Sequence, residues 1–140
     1  SLGSRGLGDV YKRQTMNRAP ISASRVTELS SARIATTSPE ALKPDSLDAF
    51  NRLSAASATS TYGGDCHNYA LLAAGHVDIV LEDGLATHDI MGVVEVIRAA
   101  GGIVTDKTGA AVTMQGTDSL LAASTPELHA AALALAGKSG

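Results

Sequence analysis

Between Gly63 and Gly109 the sequence sets out a short series of residues able to do chemistry. They are the run Gly63-Gly64-Asp65-Cys66, then Glu82, then Thr87-His88-Asp89, then Gly101-Gly102. Glu82 and Asp89 are isolated acids at the expected ends of elements, and hard oxygen ligands of this kind suit Mg²⁺, which keeps several waters and takes phosphate oxygens as further ligands. Asp89 falls in the expected first turn of a helix, where a carboxylate gains from the partial positive charge, so its plain reading is a capping acid. Its neighbours open a second reading. Gly63-Gly64-Asp65 starts another expected helix whose first amides can meet an anion. In open α/β sheets strand ends and helix starts gather on one edge, where ligands bind. The chemistry to expect there is that of a divalent metal and a phosphate.

The elements that position these residues follow from apolar spacing and punctuation. Ala32 to Thr36 is an apolar segment stopped by Ser38-Pro39 and reads as a buried strand. After Pro44, Asp45 or Ser46 can cap a helix whose apolar positions Leu47, Phe50 and Leu53 fall at helical spacing. Ala55 to Tyr62 reads as a loop or short strand. Tyr69, Leu71 and Leu72 mark a second helix ending at Gly75. Val77 to Leu81 reads as a strand and Glu82-Asp83-Gly84 as a turn. A third helix begins near Thr87 or His88, carries Ile90, Met91, Val94 and Ile97 on one stripe, and stops at Gly101-Gly102. Ile103 to Thr105 is a strand, Asp106 to Gly109 a turn and Ser119 to Ala122 a strand. Thr125-Pro126-Glu127 then opens a last helix, with a cap followed by proline at its first position. This alternation predicts a layered α/β domain.

The chain has 140 residues, 44% of them apolar, and a net charge of −3, which bounds it to one modest globular domain. Its 11 Lys and Arg are scattered among 14 Asp and Glu, so no basic stripe tracks a nucleic-acid backbone. No apolar run approaches the roughly 20 residues that span a bilayer, and a secretory apolar region is missing. A lone cysteine, Cys66, excludes an internal disulfide and fits a reducing, cytoplasmic setting. Cys66 lacks an identifiable base and reads as a small buried thiol. His67, His76, His88 and His129 show no zinc-type spacing and read as surface groups, while Asp78 and Asp106 read as strand-end turn residues. With one Phe, three Tyr and no Trp, the core must come from Ala, Leu, Val and Ile. Ser1 to Gln14 has neither apolar periodicity and resembles translated adapter sequence, which leaves 15–140 as the domain.

Taken in order, these residues resemble the C-terminal half of the inositol-monophosphatase-like superfamily, and within it the histidinol-phosphate phosphatases. The resemblance rests on Gly63-Gly64-Asp65-Cys66-x-x-Tyr69-x-x-Leu72-Ala73-x-Gly75-x-Val77-Asp78, on Glu82 and Asp89, and on the run from Ala99 to Asp106. Asn17-x-x-Pro20-Ile21-x-x-Ser24, Thr36-Thr37-Ser38-Pro39 and Leu121-Ala122-Ala123-Ser124, followed by Leu128-His129-Ala130-Ala131, extend it from Asn17 to Leu135. The resemblance implies an α/β sandwich of alternating layers, Mg²⁺ as cofactor, a small phosphorylated substrate and a homodimeric full-length protein. It implies that Asp89 is a metal ligand that also meets substrate oxygens. It further implies that Glu82 recognises the part of the substrate beyond the phosphate, and that Gly63, Gly64 and Asp65 line the alcohol side of the pocket. The Gly-Asp-Cys form points to histidinol phosphate, whose amine and titratable imidazole suit the carboxylate pair Asp65 and Glu82.

The sequence also departs from that family. The glutamate and the Asp-Pro-x-Asp-Gly segment that hold most metal ligands in its members do not occur here, so no complete catalytic set is present and the 140-residue chain is expected to be inactive by itself. Ser60-Thr61-Tyr62 replaces a basic residue before the glycines, and His88 replaces an aromatic residue before Asp89. Two neighbouring readings stay open: a phosphatase of the same superfamily acting on inositol or a sugar phosphate, and a non-catalytic dimerisation or binding module beginning near Met16.

Overall fold

The computed structural model describes residues 15–16, 19–64, 67–83, 87–113 and 118–137, with the backbone alone described at 15–16, 19–20 and 87–90. Two short strands, β1 (Thr15–Met16) and β2 (Ala19–Pro20), pair antiparallel. They are followed by β3 (Arg33–Thr36), α1 (Pro44–Ala56), β4 (Thr59–Tyr62), α2 (His67–Ala73) and β5 (Ile79–Asp83). The remainder is α3 (Thr87–Ala99), β6 (Ile103–Thr105), β7 (Ser119–Ala123) and α4 (Pro126–Ala136). Strands β3 to β7 form one mixed sheet in the order β4-β3-β5-β7-β6. β3 runs parallel to β4 and β5, whereas β7 runs antiparallel to β5 and β6.

Successive side chains of a strand point to opposite faces, so the apolar strands serve two cores at once. Ile34, Ile79, Leu81, Leu121 and Ala123 pack with Ala49, Phe50 and Leu53 of α1 and with Leu128 and Ala132 of α4. Ala35, Val80, Val104, Leu120 and Ala122 pack with Tyr69 and Leu72 of α2 and with Val94 and Ile97 of α3. The result is helices, sheet, helices: the layered α/β arrangement expected from the alternation of elements. Every residue of β7 is buried, as a central strand covered on both faces requires. Among the described residues no helix is long and apolar enough to cross a membrane.

Local punctuation acts as read at several ends. Thr125 Oγ1 accepts from the Leu128 amide at 3.1 Å and Pro126 holds the first helical position of α4. Gly101 adopts φ +98, which lets its amide reach the Arg98 carbonyl while the Gly102 amide reaches that of Ile97, the double closure of a Schellman end. Gly102 leaves no room for a side chain, because a Cβ there would lie 2.6 Å from Ile97 Cγ2 and 2.9 Å from the Ala123 carbonyl.

Elsewhere the structure corrects the expectation. Glu82 and Asp83 are not a turn: they continue β5, paired with Leu120 and Ser119 of β7, because an antiparallel neighbour supplies ladder partners that no local signal announces. Gly84 lies outside the described residues. Neither Asp45 nor Ser46 caps α1; Lys43 is the N-cap, Pro44 sits inside the first turn, and the Lys43 amide donates to Asp83 Oδ2 at 2.8 Å. Ser46 Oγ donates to Asp83 Oδ1 at 3.0 Å and accepts from Lys107 Nζ at 2.7 Å. The N-cap amide is thus held from a strand end 40 residues away, while Asp45 Oδ1 accepts from the Ser46 amide within the first turn at 3.0 Å.

Asp78 sits at the strand-end bend before β5 as expected, but it is also a fully buried carboxylate, held by Arg33 through Nε at 2.9 Å and Nη2 at 3.0 Å, by the Arg33 amide at 2.8 Å, and by Ser24 Oγ. Burial pushes its pKa up, and the hydrogen bonds from Arg33 and Ser24 outweigh that, leaving it below the ordinary aspartate range. His129 is likewise buried and not a surface group; its Nε2 meets Thr105 Oγ1 at 2.8 Å, and burial lowers its pKa.

Candidate functional site

Because β3, β4 and β5 are parallel, their carboxyl ends lie on one edge of the sheet. That edge carries Thr36 at the end of β3 and Thr37 after it, Gly63-Gly64 after β4 and Glu82 near the end of β5. Gly63 and Gly64 adopt φ +89 and +97, values that side-chain-bearing residues rarely hold, so the glycines are needed for this turn. A Cβ on Gly64 would also lie 2.7 Å from Asn68 Oδ1. The Gly63 amide donates to the carbonyls of Thr36 at 3.1 Å and Thr37 at 2.6 Å, and Asn68 Nδ2 donates to the Gly63 carbonyl at 3.0 Å. The turn is therefore tied to β3 on one side and to α2 on the other.

Glu82 is the acid at the centre of this edge, with 6% of its surface exposed. Its Oε1 accepts from the Thr37 amide at 3.0 Å and from Thr37 Oγ1 at 2.7 Å, while Oε2 accepts from Thr36 Oγ1 at 3.3 Å. Burial raises the Glu82 pKa above the ordinary glutamate range, and the opposing bonds from Thr37, Asn68 and Thr36 only partly offset it. Among the described residues no basic side chain contributes to that balance. A buried acid without a cation is costly to keep ionised, a cost that a purely structural residue has no need to carry.

The sign of the linkage gives a direct check. A raised folded pKa means that the folded protein holds more protons than the unfolded chain between the two values, so stability falls as pH rises through that window. Glu82→Gln removes the ionisation and can still accept from Thr37. We expect the variant to unfold at a higher temperature than the parent at pH 7, with the difference vanishing below the ordinary glutamate pKa of about 4.3. A variant less stable than the parent at pH 7 would contradict the burial penalty.

Of the other residues singled out by sequence, Asp65 and Cys66 lie outside the described residues. Asp89 is the third residue of α3, in its first turn as expected, and its side chain, like that of His88, lies outside the described residues. Among the described residues no three His, Cys, Asp or Glu side chains converge as a metal cage would require. The described part of the chain therefore does not by itself fit a Mg²⁺ site. Sequence reading assigned no role to Thr36, Thr37 or Asn68, although the structure places all three on Glu82 or on the turn beside it. The available signal was a pair of hydroxyl residues directly after a buried strand, at the edge where ligands bind in such sheets.

Comparison with known proteins gives this geometry a setting. The model of the inositol monophosphatase family matches residues 4–140. A bifunctional phosphatase IMPL2, chloroplastic, from Arabidopsis thaliana is 37% identical over 123 residues, covering 88% of this chain and 36% of that protein. A histidinol-phosphatase from Chlorobaculum parvum is 26% identical over 109 residues, covering 74% of this chain and 42% of its own length. The solved inositol monophosphatase from Zymomonas mobilis superposes with a TM-score of 0.82 at 30% identity, covering 89% of this chain and 49% of that one. The chain thus spans less than half the length of these relatives. On the family match, the shared fold and the ordered sequence similarity, the chain belongs to the inositol monophosphatase family.

Proposed function

We propose that the chain is the C-terminal half of a Mg²⁺-dependent phosphomonoesterase that hydrolyses L-histidinol phosphate to L-histidinol and phosphate. One observation carries the reading: Glu82, a buried carboxylate at the carboxyl edge of the sheet, is held by neutral donors and beside a glycine turn that leads into Asp65. A substrate bearing an amine and a titratable imidazole brings the positive charge that such an acid lacks. The name histidinol-phosphatase carried by the Chlorobaculum relative supports the same substrate. In this reading Gly63, Gly64, Asp65 and Glu82 receive the alcohol side of the substrate. Asp89, in the first turn of α3, supplies a metal ligand and meets substrate oxygens. The remaining metal ligands come from a preceding glutamate and Asp-Pro-x-Asp-Gly segment. The longer enzyme is read as a cytoplasmic homodimer, a setting that the lone cysteine suits.

A second reading, hydrolysis of inositol or a sugar phosphate, is favoured by the Zymomonas neighbour, an inositol monophosphatase with a TM-score of 0.82. Kinetics of the longer enzyme separate the two. Under the histidinol reading Asp65→Ala raises KM for histidinol phosphate at least about tenfold, the loss of one charge-assisted contact, and leaves KM for an uncharged phosphomonoester within about twofold. Equal effects on both substrates would remove Asp65 from substrate selection.

A further inference from the structure

We propose that Thr37 is the positioning residue of Glu82: its amide and hydroxyl both hold Oε1 and so fix the direction in which the carboxylate faces a ligand at the carboxyl edge of the sheet. This rests on the reading of Glu82 as a substrate-side acid and adds how that acid is aimed. The two bonds to Oε1, at 3.0 and 2.7 Å, come from one residue, whereas the bond from Thr36 Oγ1 to Oε2, at 3.3 Å, lies beyond the usual hydroxyl range of about 2.5–3.0 Å. Thr37 thus supplies the two shortest bonds that the carboxylate receives among the described residues.

The same residue also aligns the turn. Thr37 receives the Gly63 amide on its carbonyl at 2.6 Å, so a single residue fixes both Glu82 and the first glycine. Asn68 closes the unit from α2, through its bond to the Gly63 carbonyl at 3.0 Å and its side-chain bond to Glu82. Among the described residues, the groups that hold Glu82 from β3, from Thr37 after it and from α2 are Thr36, Thr37 and Asn68, all neutral. A ligand group that complements the Glu82 carboxylate is a cation or a hydroxyl, the chemistry of an amino alcohol or a polyol.

The test uses the 140-residue chain without metal or substrate, following the Glu82 carboxylate carbon and the Gly63 amide by NMR from acid to neutral pH. Thr37→Val, which keeps the amide and the shape but removes the hydroxyl, is expected to shift the Glu82 titration upward and to weaken its echo at the Gly63 amide. Thr37→Ala, which adds no methyl, should move it in the same direction even where the Val variant packs poorly. Thr37→Ser should return both signals to their parent positions. Thr36→Val should shift the titration less than Thr37→Val. An unmoved midpoint in both the Val and Ala variants, no recovery with Ser, or a larger effect at Thr36 would each overturn the assignment. Since no substrate enters the measurement, a different substrate preference in the longer enzyme would unseat the functional reading while leaving this result in place.

Discussion

The 140-residue polypeptide, purified and incubated with Mg²⁺ and L-histidinol phosphate, is expected to release no phosphate above background. Phosphoryl transfer depends on charge neutralisation at the equatorial oxygens and on a nucleophile held in line. Those tasks need several converging ligands. Among the described residues no three metal-ligating side chains come together. A protein that places the family's glutamate and Asp-Pro-x-Asp-Gly segment ahead of this chain is expected to turn over. In it, Asp89→Ala should bring the rate back to background. Clear turnover by the 140-residue chain alone would refute the division of labour proposed between the two halves.

The second large effect concerns stability. Arg33→Ala is expected to destabilise the fold by about 3 kcal/mol, read by urea or thermal unfolding at neutral pH. Removing the guanidinium strands the fully buried Asp78 carboxylate with only Ser24 and the Arg33 amide as donors. The figure sits at the low end for a broken buried pair because the Arg33 side chain is 41% exposed and part of its attraction is screened by water. Arg33 also donates to the Gly75 carbonyl at 2.8 Å, so the substitution loosens the end of α2 as well. The double replacement Arg33→Met with Asp78→Leu should cost less than Arg33→Ala alone, because it removes the buried charge together with its partner. A double variant at least as unstable as the single would show that packing, and not the stranded carboxylate, sets the loss.

The same pair gives a pH dependence of definite sign. The folded pKa of Asp78 lies below its unfolded value. Its contribution is therefore fully present above the ordinary aspartate pKa of about 3.9 and is lost as pH falls through the lowered folded value. Glu82 and His129 act in other windows. Ionisation of Glu82 subtracts stability as pH rises past the glutamate range, and protonation of His129 in the unfolded chain subtracts it as pH falls below about 6.5.

Much of the element order is readable because its signals are local. Proline after a threonine starts α4, a glycine at φ +98 ends α3, and the spacing of Phe50, Leu53, Val94 and Ile97 names the faces that the sheet covers. Each of these needs only a few neighbouring residues to act. The family likeness is readable for a related reason, since Gly63-Gly64, Glu82 and the run ending in Asp106 keep their order along the chain.

What required the folded molecule is everything that joins distant residues. β5 runs on through Glu82 and Asp83 because β7 lies antiparallel beside it, and that neighbour arrives 36 or more residues later in the chain. Asp83, at the end of β5, binds the N-cap amide of α1, a contact that no local signal announces. Arg33 and Asp78 are 45 residues apart and become a pair only when β3 and β5 align, and Thr37 reaches Glu82 over the same separation. The physical reason is common to all four. Local propensity weighs fractions of a kcal/mol per residue, whereas a ladder partner or a buried carboxylate is settled by costs of several, and those are decided by which chain segments the sheet brings side by side.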